Sequence, residues 1–142
     1  MFKKSTNKDK TKNMIKLEAY KMDGLGNDFI IFDNRKKSIA LTKGQIIKIA
    51  DRNNIGCDQV IFIDKDQNSD AFVKFYNADG GETPACGNGS RCVAYLLMKE
   101  KNVKKKLMDE MKNSEIFKSV MDKFPDAELI DVNSKKDGVD ND

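Results

Sequence analysis

The sequence of 142 residues lacks the features of an exported or membrane-embedded protein. No apolar run approaches the ~20 residues that a membrane-spanning helix needs. The first residues, MFKKSTNKDKTKNM, contain lysines without an apolar stretch behind them, so they do not match a secretory signal. The chain has only three cysteines, and because this number is odd they cannot all form disulfides within the chain. These absences favour a reducing, cytoplasmic setting in which thiols are available for chemistry.

Histidine is absent altogether, and its absence weighs against a zinc site. Cys57, Cys86 and Cys92 lie 29 and 6 positions apart, which does not match the paired short spacings of structural zinc ligands. The glycine-rich stretch between Asn77 and Gly89 lacks the Lys-Ser/Thr ending of a phosphate-binding P-loop. Its glycines also do not follow the spacing of a dinucleotide-binding motif. The sequence therefore predicts no metal site and gives little support to a phosphate cradle.

Charge is plentiful but unevenly distributed along the chain. Residues 1–106 contain 21 basic and 13 acidic residues, a balance of +8, whereas residues 107–142 contain 5 and 10, a balance of −5. Such a split suggests segments of different origin or role. Residues 1–15 have little to bury, so we predict a disordered basic arm. No aromatic residue interleaves the lysines of this arm, so nucleic-acid binding is the less favoured interpretation.

The pattern of apolar residues predicts one α+β domain over residues 16–101. Strands are expected at four places, 16–22, 29–32, 58–64 and 71–76. A short helix is expected from Leu41 to Arg52, with Thr42 as its N-cap. A second helix is expected over residues 90–101, where Val93, Leu96 and Leu97 share one face. The order strand, strand, helix, strand, strand, helix is typical of the α+β class.

Residues 102–142 are predicted to form a divergent, acidic helical tail. The lysine run KNVKKK is followed by an amphipathic stretch at 107–124, which Pro125 ends. The segment AELIDV at 127–132 is compatible with a short strand, and residues 133–142 form a frayed polar end.

The strongest chemical feature is Cys86, which lies in the glycine turn ACGNGSRC at the start of the second predicted helix. A helix start presents unpaired backbone N–H groups and partial positive charge, which favour the reactive thiolate and can also hold a carboxylate. A cysteine among Gly, Asn and Gly is poorly placed for burial, so we favour a functional interpretation. Cys92 falls within the helical pattern and is predicted to be structural, while Cys57 is ambiguous.

Three polar clusters accompany this loop, and each alone is typical of an ordinary turn. They are GLGND at 24–28, GCDQ at 56–59 and NADG at 77–80. In this order and spacing, GLGNDF, IGCDQ, FYNADGGE and ACGNGSRC resemble the amino-terminal signature of the diaminopimelate epimerases, over about residues 17–100. The resemblance implies two pseudo-symmetric α+β halves that face each other across a cleft. This chain would carry one half, a mixed sheet around a helix.

The resemblance also implies a mechanism without pyridoxal phosphate, metal or any other cofactor. One cysteine thiolate removes the α-proton of diaminopimelate, and a cysteine thiol of the other half protonates the opposite face. Cys86 is then the acid/base of this half, and the substrate contacts are Asn27, Gln59, Asn77, Gly87 and Asn88. Amide side chains suit a zwitterionic amino acid, because each offers both a donor and an acceptor.

Two departures from the family pattern shape the expected function. Asp23 stands where the family commonly has His, and nothing after Arg91 supplies a second glycine loop with a cysteine. We therefore expect a truncated diaminopimelate epimerase, inactive without a second half that a separate chain would supply. The alternative is a non-catalytic remnant, or a protein-interaction module that binds through its tail. A racemase acting on another amino acid is left open.

Overall fold

The computed structural model describes residues 16–132, which form five strands and three helices. In chain order these are β1 (Tyr20–Gly24), β2 (Asn27–Asp33), α1 (Lys43–Ala50), β3 (Gln59–Asp64), β4 (Phe72–Asn77), β5 (Glu82–Thr83), α2 (Gly87–Lys112) and α3 (Glu115–Lys123). The α+β class is confirmed, with β5 as an addition inside the predicted loop. The predicted arm at 1–15 and the predicted frayed end at 133–142 lie outside the described residues.

The strands form one mixed sheet in the order β1-β2-β3-β4-β5. The neighbours β2 and β3 are parallel, and every other pair is antiparallel. The starts of β2 and β3 therefore lie at the same end of the sheet as the last residues of β1 and β4. We call this the Asn27 end, and the opposite one the Asp33 end. A strand advances ~3.3 Å per residue, so about 20 Å of β2 separates the two ends.

Side chains alternate between the two faces of the sheet and build a core on each. Phe29 and Ile31 of β2 pack with Ile61, Ile63 and Phe75 beneath α2. The residues that alternate with these along the strands face α1. There the second core cluster contains Ile30, Phe32, Val60, Phe62, Ile46, Ala50 and Cys57. This period of two is the alternation of a pleated strand, here with both faces covered. Three of the predicted strands are confirmed, and their apolar residues fill both cores. The strand predicted at 16–22 is displaced: β1 begins only at Tyr20, and Leu17 and Tyr20 are exposed.

Helix α1 begins where its capping residues predict. The Thr42 hydroxyl accepts a hydrogen bond from the Gln45 backbone N–H at 3.2 Å, and the Gln45 side chain accepts one from the Thr42 N–H at 2.8 Å. This capping box satisfies two backbone donors at the helix start. The prediction of Thr42 as an N-cap is confirmed.

Helix α2 is longer than predicted, and the expected single helix at 107–124 is wrong. Lysine is a good helix former, so the run KNVKKK continues α2 to Lys112 instead of interrupting it. The break comes at Asn113 and Ser114. The Ser114 hydroxyl accepts a hydrogen bond from the Phe117 N–H at 3.2 Å and thereby starts α3.

The carboxyl-terminal segment packs little against the rest of the molecule. Helix α3 buries no residue completely, and Ile116 and Val120 of this helix and Phe124 directly after it are exposed. Residues 127–132 form no strand, so the short strand considered there is wrong. Asp131 is instead paired with Lys104 of α2 at 2.9 Å. Within residues 16–132 no helix is long and apolar enough to cross a membrane.

Candidate active site at the start of helix α2

The three cysteines occupy different environments, and all are free thiols. Cys57 and Cys92 are 1% and 5% exposed, in the α1-side and α2-side cores respectively. Burial raises the pKa of both thiols, and the nearby Asp23 and Cys86 raise that of Cys92 further. Cys92 is therefore structural, as predicted, and the ambiguous Cys57 is structural as well. Cys86 is only half-buried, at the edge of the α2-side core, and is therefore the candidate for chemistry.

Cys86 is the N-cap residue of α2, at the Asn27 end of the sheet. Its extended backbone (φ −98°, ψ 124°) lets its carbonyl accept the Ser90 N–H at 2.8 Å, while its side chain makes no capping hydrogen bond. The thiol therefore does not compete for the first N–H groups of the helix, which have no intrahelical partner. These N–H groups and the helix dipole favour an anion beside the sulfur.

Two glycines in the first turn of α2 serve different purposes. A Cβ atom on Gly89 would lie 2.9 Å from Phe75 Cε1 and 3.0 Å from Ile61 Cδ1, so only glycine lets the helix start rest on the sheet. A Cβ atom on Gly87 would meet nothing within 4 Å. Gly89 thus anchors the helix start, and the space over Gly87 is open to a ligand.

Asn27 and Asn88 meet across 61 positions of sequence. The Asn88 Nδ2 donates to Asn27 Oδ1 at 2.9 Å, which links the start of β2 to the second residue of α2. Both side chains are half-buried. The hydrogen bond therefore connects Asn27 to a residue two positions after Cys86 in the chain.

Gln59 and Asn77 form a second amide pair, on the neighbouring strands β3 and β4. The two residues are opposite each other in the sheet register, and the Gln59 Nε2 donates to Asn77 Oδ1 at 3.0 Å. The Gln59 Oε1 atom is buried and has no hydrogen-bond partner among the described residues. An unpaired buried acceptor is costly, and such groups are concentrated where a ligand completes the bonding.

The structure brings all six predicted site residues to the Asn27 end of the sheet. They are Asn27, Gln59, Asn77, Cys86, Gly87 and Asn88. Four of them form the two hydrogen-bonded amide pairs, and the other two begin α2. Their roles toward a substrate stay predictions.

An ionic network that no sequence pattern indicates lies behind these residues. The Arg52 guanidinium bonds both oxygens of Asp28, at 2.5 and 2.7 Å, and reaches Asp58 at 3.0 Å. Lys21 adds a 2.8 Å contact to Asp28. Arg52, together with Lys21, holds the pKa of the Asp28 carboxyl far below its usual range. Both aspartates stand in the polar clusters at 24–28 and 56–59, but only their convergence on Arg52 distinguishes them from ordinary turn residues.

A shallow surface depression of about 800 Å³ lies away from these residues, at the Asp33 end of the sheet. It is lined by Leu17, Tyr20, Asp33 and several lysines, about 20 Å from the start of β2. Its size alone does not make it the reactive site, because no cysteine lines it. Among residues 16–132 no group of three or more Cys, Asp or Glu side chains is arranged to hold a metal ion.

The mixed sheet, the helix that begins at a half-buried cysteine and the two amide pairs define an α+β half-domain with a candidate thiol site. Residues 19–129 match the family model described as diaminopimelate epimerase. The chain belongs to the diaminopimelate epimerase family.

Relatives of this family match with high identity over part of their length. The chain is 58% identical to the diaminopimelate epimerase of Pelagibacter ubique strain HTCC1062 over 88 residues, which are 62% of this chain and 32% of the relative. It is 53% identical to that of Phenylobacterium zucineum strain HLK1 over 79 residues, 55% of this chain and 28% of the relative. It is 48% identical to the diaminopimelate epimerase of Acidiphilium cryptum strain JF-5 over 81 residues, which are 56% of this chain and 29% of the relative. The chain thus spans about a third of the length of these curated relatives.

Proposed function

We propose that this chain supplies one acid/base half of a diaminopimelate epimerase, which inverts the α-carbon of LL- or meso-diaminopimelate. The observation that carries the proposal is the placement of Cys86, half-buried at the start of α2, directly before Gly87 and the hydrogen-bonded Asn88. The product would feed lysine and peptidoglycan synthesis. The three free thiols support a reducing, cytoplasmic setting.

In the proposed step the Cys86 thiolate removes the α-proton of the substrate. The C–H bond breaks, an S–H bond forms, and the electron pair stays on the substrate as a carbanion delocalised into its carboxylate. Backbone N–H groups of the first turn of α2 would stabilise the charge that builds up on this carboxylate. The step uses no pyridoxal phosphate, metal or other cofactor.

Substrate orientation would fall to the amide side chains. Asn27, Gln59 and Asn77 each carry both a donor and an acceptor, so they suit the ammonium and carboxylate groups of an amino acid. The unpartnered Gln59 Oε1 supports this role, because an ammonium donor would satisfy it after a small rotation of the side chain. The proposed ligand class is therefore a small zwitterionic amino acid.

Inversion requires a second acid on the opposite face of the α-carbon. The chain has three cysteines, and the two besides Cys86 are buried in the cores, so neither suits this step. We propose that the second thiol belongs to another half, on a further segment or on a separate chain. Without that half, the chain would exchange the α-proton but would not epimerise the substrate.

The test is ¹H NMR of meso-diaminopimelate in D₂O with the purified protein. The Cys86 S–H exchanges with solvent, so a single base returns deuterium to the face from which it took the proton. We expect loss of the α-proton signal without a change of configuration, and no loss with Cys86→Ala or Cys86→Ser. Ser90→Ala, an exposed change in the same helical turn, serves as the matched control and should exchange like the wild type. Equal exchange with the wild type and Cys86→Ala would overturn the proposal.

A second candidate function is protein interaction through α3, independent of catalysis. It is favoured by Ile116 and Val120, four positions apart on α3, and by Phe124 directly after the helix, which are 76%, 42% and 64% exposed. Apolar side chains exposed together at this spacing are typical of a helix that docks on a partner. Val120→Asp should then abolish any self-association seen by analytical ultracentrifugation, while Cys86→Ala should not. A wild-type protein that stays monomeric and crosslinks to no partner would count against this function.

A further inference from the structure

The ionic network at Arg52 is connected to the start of α2 by a continuous series of side-chain hydrogen bonds. Asp58 Oδ1 accepts from Arg52, and Asp58 Oδ2 accepts from the Asp28 backbone N–H at 2.9 Å and from Asn27 Nδ2 at 3.3 Å. Asn27 Oδ1 in turn accepts from Asn88 Nδ2 at 2.9 Å. The series begins on the face of the sheet that α1 covers and ends at the start of α2 on the other face. Asp58 is the residue that joins the two parts.

This series has only one possible polarity. A carboxylate has no proton to donate, so the Asn27 amide must direct its NH₂ group toward Asp58 and its oxygen toward Asn88. The oxygen of Asn27 then forces Asn88 to direct its own NH₂ group toward Asn27. Reversing Asn27 would set oxygen against oxygen at Asp58 and nitrogen against nitrogen at Asn88, so both hydrogen bonds would be lost. Reversing Asn88 would set its oxygen against that of Asn27, so the bond between the two amides would be lost. The orientation of Asn88 is therefore fixed by the carboxylate of Asp58, which it does not touch.

The consequence of this polarity is that Asn88 keeps its carbonyl oxygen for a ligand. No hydrogen bond from residues 16–132 reaches Asn88 Oδ1, and the side chain is half-buried. Asn88 directly follows Gly87, over which there is open space. The backbone N–H groups of the same helical turn are donors, which suit a carboxylate. An oxygen acceptor beside these donors suits the ammonium group attached to the same α-carbon.

We propose that Asp58, held by Arg52, is a positioning residue that fixes the polarity of the Asn27–Asn88 amide pair, so that Asn88 Oδ1 receives the ammonium group of an amino-acid substrate. The ammonium part rests on the proposed function, whereas the polarity part concerns the free protein. The two parts are therefore tested separately.

The polarity part is tested by the side-chain amide signals of Asn27 and Asn88 in ¹⁵N-labelled protein. Asp58→Asn keeps the shape of residue 58 but offers both a donor and an acceptor, so the amides are no longer forced into one orientation. We expect the side-chain signals of both Asn27 and Asn88 to shift or split. The exchange of the two residues in the double variant Asn27→Asp/Asp58→Asn restores a carboxylate to the pair and should return Asn88 to one signal set.

Asp64→Asn is the matched control, because Asp58 directly precedes β3 and Asp64 is its last residue. Asp64 also accepts a hydrogen bond from an asparagine amide, that of Asn34, at 2.9 Å. It should leave the Asn88 signals unchanged. If Asn88 is insensitive to Asp58→Asn in the folded protein, or responds equally to Asp64→Asn, the positioning role is overturned. If the Asp58→Asn variant does not fold, the double variant alone tests the positioning role of Asp58. A single set of Asn88 side-chain signals in the double variant supports the role, and split signals overturn it.

The ammonium part is tested by NMR titration with meso-diaminopimelate and with pimelate, the same dicarboxylate without ammonium groups. We expect the wild type to bind diaminopimelate more tightly, and Asp58→Asn to reduce that preference about tenfold, since a hydrogen bond to a charged group is worth about that factor. A purely structural effect would weaken both ligands equally and would overturn the assignment, as would a wild type that binds neither. Retained preference without α-proton exchange would instead count against Cys86 as the base.

Discussion

At the scale of single residues, Gly87 and Gly89 are chemically identical but stand in opposite environments. Gly89 lies against Phe75 and Ile61, whereas Gly87 faces open space. We predict that Gly89→Ala lowers the free energy of unfolding by about 1–3 kcal/mol, because the added methyl group overpacks the contact between α2 and the sheet. Gly87→Ala should cause no loss, because alanine is the better helix former. Urea denaturation measures both, and equal effects of the two changes would contradict this packing.

The three thiols should differ in reactivity according to their burial. We predict that iodoacetamide modifies Cys86 first in the folded protein, while Cys57 and Cys92 react only after unfolding or at raised pH. Burial both shields these two thiols and raises their pKa, so they stay protonated at neutral pH. Peptide mass spectrometry after timed quenching identifies the modified residue. Modification of Cys57 as fast as Cys86 under native conditions would be inconsistent with the fold.

At the scale of elements, the two capped helix starts provide a matched comparison. Thr42→Ala should lower the free energy of unfolding by about 1 kcal/mol, because α1 packs Ile46 and Ala50 into the core and loses its capping box. Ser114→Ala removes the equivalent hydrogen bond from α3, which buries no residue. It should fray α3 without changing the main unfolding transition. Near-ultraviolet and far-ultraviolet circular dichroism during urea denaturation separates these effects. A larger loss of unfolding free energy from Ser114→Ala than from Thr42→Ala would contradict the prediction.

The elements that could be predicted from the sequence are those whose apolar residues fill a core. Burial is uninterrupted from Phe29 to Phe32 and from Val60 to Ile63. The β-branched and aromatic composition of these segments was therefore enough to predict a strand at each. The two-residue strand β5 has no pattern of its own and exists because Thr83 pairs with Phe75. The end of α2 was missed because its distal half is exposed, and no buried residue marks where it ends.

The candidate site was predictable in its residues but not in its connections. Glycines and amides around Cys86 indicated the location, since their types are unusual for a core. The hydrogen bond between Asn27 and Asn88 joins residues 61 positions apart, and Arg52 reaches Asp28 from the far end of α1. Such contacts depend on the strand register, which no local pattern specifies. From the sequence, Asp58 could therefore be interpreted only as a turn residue, and its contact with Arg52 could not be predicted.

At the scale of the whole molecule, the Asp28 network links folding to pH. The pKa of Asp28 is lowered in the folded state, so its contribution to stability is present above the ordinary carboxyl value of 3.8 and is lost as the pH falls below it. We predict that Asp28→Asn costs roughly 1–3 kcal/mol at pH 7. The difference from the wild type should shrink as the pH falls from 4 to 2, which is on the order of two pH units below that value. Urea denaturation across this range measures it, and a constant difference would refute the linkage.

The measurement that tests the central claim most directly is complementation of this half-domain. The chain would be mixed with the part of the Pelagibacter ubique diaminopimelate epimerase that it does not match. Chiral chromatography would then measure the conversion of LL- to meso-diaminopimelate. We predict that the mixture epimerises the substrate and that Cys86→Ala in this chain abolishes the activity. The Ser90→Ala mixture should match the wild type. A mixture that is as active with Cys86→Ala as with the wild type, or inactive although both parts are folded and associated, would contradict the assignment of Cys86 as one of two paired acid/base thiols.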